Sequence, residues 1–90
     1  MMAASLPGAD LVERGLAALA RGQVTAESLL VSIAAPRLRA LGTDVPATLP
    51  DPELELYRLL VREHGDAAHG RYNALVRQMV SFQRAAACAR

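Results

Sequence analysis

The sequence predicts an all-α domain, a small bundle of four to five helices in which a proline-rich connector joins two helical hairpins. Apolar residues recur three and four positions apart through several segments, which is the spacing of one face of an α-helix. No segment shows the strict alternation of apolar and polar residues that indicates a half-buried strand. The 90 residues suffice for one hydrophobic core, so residues 1–90 are expected to form a single domain.

The first hairpin is predicted to span residues 10–42, and its first helix begins at Asp10. The Asp10 carboxylate is placed to cap free backbone N–H groups, and Glu13, three residues later, has the spacing of a capping box. Gly22 follows the last apolar position of this segment and is placed to end the helix. The pattern between these residues is that of an amphipathic helix.

The second helix is predicted to begin after Thr25, which is placed as its N-cap. Residues 29–34 are apolar apart from Ser32, so this helix should be the most buried element. Pro36 lacks a backbone N–H and clashes with the preceding turn, so it predicts a kink or a new short helix that ends at Gly42. The expected count is therefore four or five helices, according to the effect of Pro36.

Residues 43–50 are predicted to form an extended, mobile connector. This stretch has no helical periodicity, and Pro46 and Pro50 each disfavour helical geometry at the preceding residue. The connector is the one expected boundary inside the domain.

The second hairpin is predicted to span residues 51–87. Asp51 is placed as the N-cap of its first helix, and Pro52 at the first helical position loses nothing by lacking an N–H. Gly65 is placed to end this helix, and Asp66 to cap the last one.

A protein partner or a second copy of the chain is expected, because 52% of the residues are hydrophobic and four short helices leave much apolar surface to cover. The last helix carries a sharp apolar stripe that is predicted to supply the interface, formed by Tyr72, Leu75, Val76, Met79 and Phe82. The favoured function is a helical protein–protein interaction module, acting as a homodimer or as a small, antitoxin-like or adaptor subunit of a complex.

An enzymatic alternative comes from Arg58 and His64, which are separated by five residues. This spacing resembles the arginine, four-to-six residues, histidine motif of HEPN-type ribonucleases, which are small α-helical dimers. The resemblance covers these two residues and implies that Arg58 and His64 would meet across a dimer interface to cleave RNA. Helical periodicity places His64 with Tyr57, Leu60 and Val61, on a side of the helix expected to face the core.

Nucleic-acid binding is a third alternative, since Arg77 and Arg84 lie one above the other on the last helix. The net charge of +1 argues against it, because nucleic-acid binding usually needs a strongly basic surface. Aromatic residues are also scarce, with one Phe, two Tyr and no Trp, whereas a surface that binds single strands stacks the bases on aromatic rings.

His64, Asp66 and His69 cluster around the predicted turn between the last two helices, and two imidazoles with a carboxylate are a possible set of metal ligands. Asp66 is expected to act there as a helix cap, and His64 to complement the dipole of a last helical turn. No metal and no cofactor is therefore predicted.

The setting is expected to be the cytoplasm of a bacterium. Cys88 is the single cysteine, so no disulfide can form within the chain, and the first ten residues lack the basic residues of a targeting signal. All ten basic residues are arginine, a bias that indicates a GC-rich bacterial genome.

Overall fold

The computed structural model describes residues 6–89, and in this range the protein is helical with no strand, which confirms the predicted fold class. None of the helices in this range combines the length and the hydropathy that crossing a membrane requires. The elements in chain order are α1 (Ala9–Ala20), α2 (Ala26–Ala40), α3 (Pro52–His64), a 3₁₀ turn (Gly65–Ala67) and α4 (Ala68–Ala89).

The predicted count of four to five separate helices is not matched, because residues 6–89 form three uninterrupted helical segments. The first difference is at Pro36, where α2 continues to Ala40 without a second helix. Ala35 and Leu38, on either side of Pro36, are at most 1% exposed. The free energy gained from this packing outweighs the loss of one backbone hydrogen bond at Pro36.

The second difference in the helix count is at Gly65, where α3 passes through the 3₁₀ turn into α4 without a non-helical residue. The Ala68 N–H donates to the Gly65 carbonyl, so the chain keeps a helical course through the turn. The prediction that Asp66 caps the last helix is therefore wrong. Asp66 lies inside the 3₁₀ turn, where no open helix N-terminus exists for its carboxylate to cap.

The start of α1 also differs from the prediction, since Gly8 is the N-cap and Asp10 already lies in the first turn. Gly8 adopts a left-handed φ of 77°, and no side chain caps the helix. A Cβ at Gly8 would lie 2.7 Å from the Gln78 carbonyl oxygen, so close approach to α4 selects a glycine here. The predicted capping box of Asp10 and Glu13 gives way to this tertiary contact.

The predictions that Gly22 ends α1 and that Gly42 ends α2 are confirmed. Gly22 and Gly42 both have positive φ, 69° and 94°, immediately after the helix ends. At the end of α1 the Gln23 N–H donates to the Ala18 carbonyl oxygen over 2.9 Å, the long bond of a Schellman motif.

Helix α2 is the most buried helix, as predicted, with eight of its fifteen residues buried. Its N-cap is confirmed as Thr25. The Ser28 N–H donates to the Thr25 hydroxyl over 3.0 Å, and the Thr25 N–H donates to the Ser28 hydroxyl over 2.8 Å. This reciprocal pair is a capping box with serine in the third position, and it satisfies two otherwise free N–H groups.

The connector has no regular secondary structure and runs back along α2, where side chains hold it at two points. The Arg39 guanidinium donates to the carbonyl oxygens of Val45 and Pro46, each over 3.2 Å. The Leu49 N–H donates to the Ser32 hydroxyl over 3.1 Å. Val45 is buried, so the connector contributes to the core as well as joining the hairpins.

The core is one contiguous cluster that draws on all four α-helices and the connector. Helix α2 contacts each of the other three helices. Helix α4 is the least covered, with three of its 22 residues buried, namely Ala68, Met79 and Phe82. The asymmetry leaves much of α3 and α4 at the surface.

We predict that Gly15→Ala destabilises the protein by about 1–2 kcal/mol, measured by urea unfolding at one protein concentration. A Cβ at Gly15 would meet Val31 Cγ2 and would lie 2.6 Å from the Glu27 carbonyl oxygen, so α1 and α2 must move apart. The matched control is Gly70→Ala in α4, where a Cβ meets nothing within 4 Å. This control should stabilise the protein by about 0.5–1 kcal/mol, because alanine favours helix. Equal effects of the two substitutions would contradict the close α1–α2 contact.

We also predict that Ser32→Ala loosens the connector and costs about 1–2 kcal/mol of stability. The Ser32 hydroxyl donates to the Ser28 carbonyl over 2.9 Å and accepts the Leu49 N–H, so the variant leaves that amide without its partner. Hydrogen exchange at the Leu49 amide should accelerate in Ser32→Ala and stay unchanged in Ser81→Ala, an exposed serine of α4. Unchanged protection of Leu49 in both variants would show that Ser32 does not anchor the connector.

Candidate interaction surfaces

An open groove runs between α2 and α4, and we call it the α2/α4 groove. Its first part has a volume of about 330 Å³. The walls of this part are mainly apolar and consist of Leu30, Ile33, Ala34, Pro36, Arg37, Val76, Met79, Val80 and Gln83.

The second part of the α2/α4 groove is more polar and also measures about 330 Å³. It shares Arg37, Val80 and Gln83 with the first part, so the two parts adjoin each other along α2 and α4. Its further lining residues are Leu41, Arg84 and Ala87. Within residues 6–89, no Asp or Glu lines the groove, and neither the Arg37 nor the Arg84 guanidinium forms an ion pair or hydrogen bond.

A second surface lies on the outer side of α3 and consists of Leu54, Tyr57 and Val61, which we call the α3 stripe. The exposed fractions of these residues are 51%, 41% and 46%. Leu56 and Leu60 of the same helix are buried at 0% and 2% exposure. Helix α3 is thus apolar on two sides. The rest of the chain covers the side of Leu56 and Leu60 and leaves the α3 stripe exposed.

The five residues predicted as an interface divide into two groups in the structure. Met79 and Phe82 are buried at 3% and 6% exposure in the core of the same chain, so they present little surface to a partner. Tyr72, Leu75 and Val76 are half-buried. The Tyr72 ring contacts Tyr57 edge to face, with ring centroids 6.0 Å apart, and so extends the apolar surface beside the α3 stripe.

His64 and Arg58 both lie at the surface, and neither points into the core. The His64 side chain is 34% exposed, and its Nε2 lies 3.9 Å from the Glu63 carboxylate. Arg58 donates to the Glu55 carboxylate over 3.3 Å. The expectation that His64 faces the core is wrong. Of the three residues placed on its side of α3, Leu60 is buried, but Tyr57 and Val61 are exposed, and His64 at the end of the helix lies with the exposed residues. Arg58 and His64 are six residues apart, so they point about 120° away from each other on the helix.

The three possible metal ligands His64, Asp66 and His69 do not converge. The Asn73 amide donates to His69 Nε2 over 3.3 Å, whereas His64 lies next to Glu63. Across residues 6–89, no three His, Cys, Asp or Glu side chains are grouped closely enough to hold a metal ion.

A third cavity, of about 310 Å³, lies between the start of α2 and the junction of α3 with α4. Its polar lining combines Glu27 and Glu63 with His64 and Arg71. Acidic and basic side chains are thus mixed in this lining, in contrast to the α2/α4 groove, whose charged lining residues are arginines.

The α3 stripe was not among the predicted interface residues, although the sequence carries a signal for it. Leu54, Tyr57 and Val61 recur at three- and four-residue spacing on a different side of α3 from Leu56 and Leu60, which marks a helix with two apolar sides.

No protein-family model, curated protein or solved structure matches the chain.

Proposed function

We propose that this protein is a helical protein–protein interaction module and that it acts as a homodimer through the α3 stripe. We further propose that it works in the cytoplasm of a bacterium, where the exposed thiol of Cys88 would stay reduced.

The observation that carries the proposal is the exposure of Leu54, Tyr57 and Val61 on a helix whose other side is already buried. Each keeps 41–51% of its surface in water, and together with Val24 they are the large hydrophobic residues with high exposure in the described part of the chain. Side chains of this size gain about 1.5–3 kcal/mol each on passing from full exposure to full burial, so covering the half that remains exposed contributes about 1 kcal/mol each. Three such side chains on one helix face are typical of a helix–helix contact.

A second copy of the chain fits the α3 stripe when the two α3 helices lie antiparallel. The first turn of α3 is acidic, with Glu53 and Glu55, and its last turn carries Arg62. An antiparallel partner brings each acidic end near the basic end of the other helix and also opposes the two helix dipoles. In this arrangement Leu54 of each chain lies near Val61 of the other, as a two-fold axis requires.

We expect Val61→Glu to convert a dimer into a folded monomer. The mutated side chain is solvent-exposed in the single chain, so the variant should fold, but the dimer would bury two carboxylates at a cost of several kcal/mol. Sedimentation equilibrium should give twice the chain mass of 9.6 kDa for the wild type and one chain mass for the variant.

The matched control for this experiment is Ala17→Glu, which adds the same side chain and charge at an exposed position of α1. Its mass should equal that of the wild type. A wild type that stays monomeric at high micromolar concentration would refute the homodimer, and a dimer that survives Val61→Glu would refute the α3 stripe as its interface.

Ribonuclease activity is a second candidate function, and the surface positions of Arg58 and His64 favour it. Both side chains are accessible to a large substrate. They also lie on α3, so dimerisation through the α3 stripe would gather two copies of each residue near one interface.

The two functions make different predictions for His64→Ala. An interaction module keeps its fold and its dimer mass in this variant, because the imidazole is at the surface and has one weak ion-pair partner. A ribonuclease loses about 100-fold or more of its rate of RNA cleavage when Arg58 or His64 becomes alanine. A fluorogenic single-stranded RNA measures the rate, with His69→Ala and Arg77→Ala as matched controls elsewhere on the surface. Selective loss of cleavage in the first pair would make the enzymatic function the correct one.

A further inference from the structure

We propose that the α2/α4 groove binds one aliphatic carboxylate of medium chain length. The hydrocarbon tail lies in the apolar first part of the groove, and the carboxylate lies in the second part beside Arg37 and Arg84. This site goes beyond the proposed function and is independent of it, since no residue of the α3 stripe lines the groove.

The first part of the groove has the chemistry of a site for a hydrocarbon tail. The half-buried Ile33, Val76 and Val80 supply its accessible aliphatic walls, and the buried Leu30 and Met79 lie beneath them. Its volume of about 330 Å³ falls at the lower end of the range of small-molecule sites, roughly 300–1,000 Å³. A small apolar ligand is therefore favoured over a bulky polycyclic one.

The second part of the groove has the charge needed for an anionic head group. Arg37 and Arg84 line it, and both are exposed and without an ion-pair partner among residues 6–89. Helix α4 contains no acidic residue, and Glu27, the one acidic residue of α2, lies 3.8 Å from Arg14 Nε. Nothing in the groove neutralises these guanidinium groups, and the carboxylate is the group that their paired N–H donors fit best.

The distance between the two parts sets the chain length of the ligand. Val76, at the apolar end, and Arg84 are eight residues apart on α4, which corresponds to about 12 Å along the helix axis. This distance is comparable with an extended decanoyl chain. Decanoate is therefore the probe that we select.

The test is a titration of the full chain with decanoate below its micellar concentration, followed by calorimetry and by amide chemical shifts. One saturable site is expected, with shifts at Ile33, Val80 and Gln83. Arg37→Gln and Arg84→Gln should each weaken binding roughly tenfold, through loss of a charge-assisted hydrogen bond. Both arginines are exposed, so the variants should keep the wild-type fold.

Two controls separate the proposed site from general surfactant binding. Arg77→Gln removes an exposed arginine of α4 that does not line the groove, and it should leave the affinity unchanged. Decan-1-ol has the same tail without the charge, and it should bind roughly tenfold more weakly than decanoate.

Several results would overturn the proposal. Binding that does not saturate, equal affinities for decanoate and decan-1-ol, or indifference to Arg37→Gln and Arg84→Gln would each exclude a built carboxylate site. A dimer that Val80→Glu dissociates and Val61→Glu does not would show that a second copy of the chain occupies the groove instead. That last result would also move the dimer interface away from the α3 stripe, whereas failure of decanoate binding alone would leave the proposed function intact.

Discussion

Burial of α2 is the constraint on which the other elements depend. Eight of its residues are buried, and they include two serines, so each buried hydroxyl requires a hydrogen-bond partner. Ser28 takes part in the N-terminal cap, and Ser32 bonds to α2 itself and to the connector. Within residues 6–89, no buried side-chain polar atom lacks a partner. Because α2 satisfies its own polar groups, α1 can approach it as closely as Gly15 allows, and α3 and α4 can pack against it as well.

The same arrangement explains why apolar surface remains on α3 and α4. A chain of 90 residues has too little mass to enclose every helix around one core, so the helices beside α2 are covered on one side only. The two surfaces that remain differ in charge. Acidic and basic residues occupy opposite ends of α3, which suits an antiparallel copy of the same helix. In the α2/α4 groove, by contrast, the charged lining residues are arginines. Different occupants are therefore expected for the two surfaces.

Helix α3 is the element on which the candidate functions converge. It carries the α3 stripe, and it carries Arg58 and His64, whose spacing resembles a ribonuclease motif. Both residues contact acidic neighbours of the same helix, so their present partners are local and exposed. A homodimer through α3 would change the surroundings of both side chains without rearranging the core. The oligomeric state of the protein therefore bears on the interaction module and on the ribonuclease alike.

Local signals in the sequence were enough to determine that the protein is all-α, where α2 begins, where α1 and α2 end, and that α2 is the most buried helix. Each of these features depends on residues a few positions apart, such as the Thr25–Ser28 cap or a glycine with positive φ after the last turn. Tertiary structure alone decided that Gly8 is the N-cap of α1 and that α2 continues through Pro36. It also decided that Met79 and Phe82 are buried and that the second apolar side of α3 faces water. The physical reason is that helical periodicity shows which residues share a side of a helix, whereas packing between helices distant in the sequence decides which side is covered.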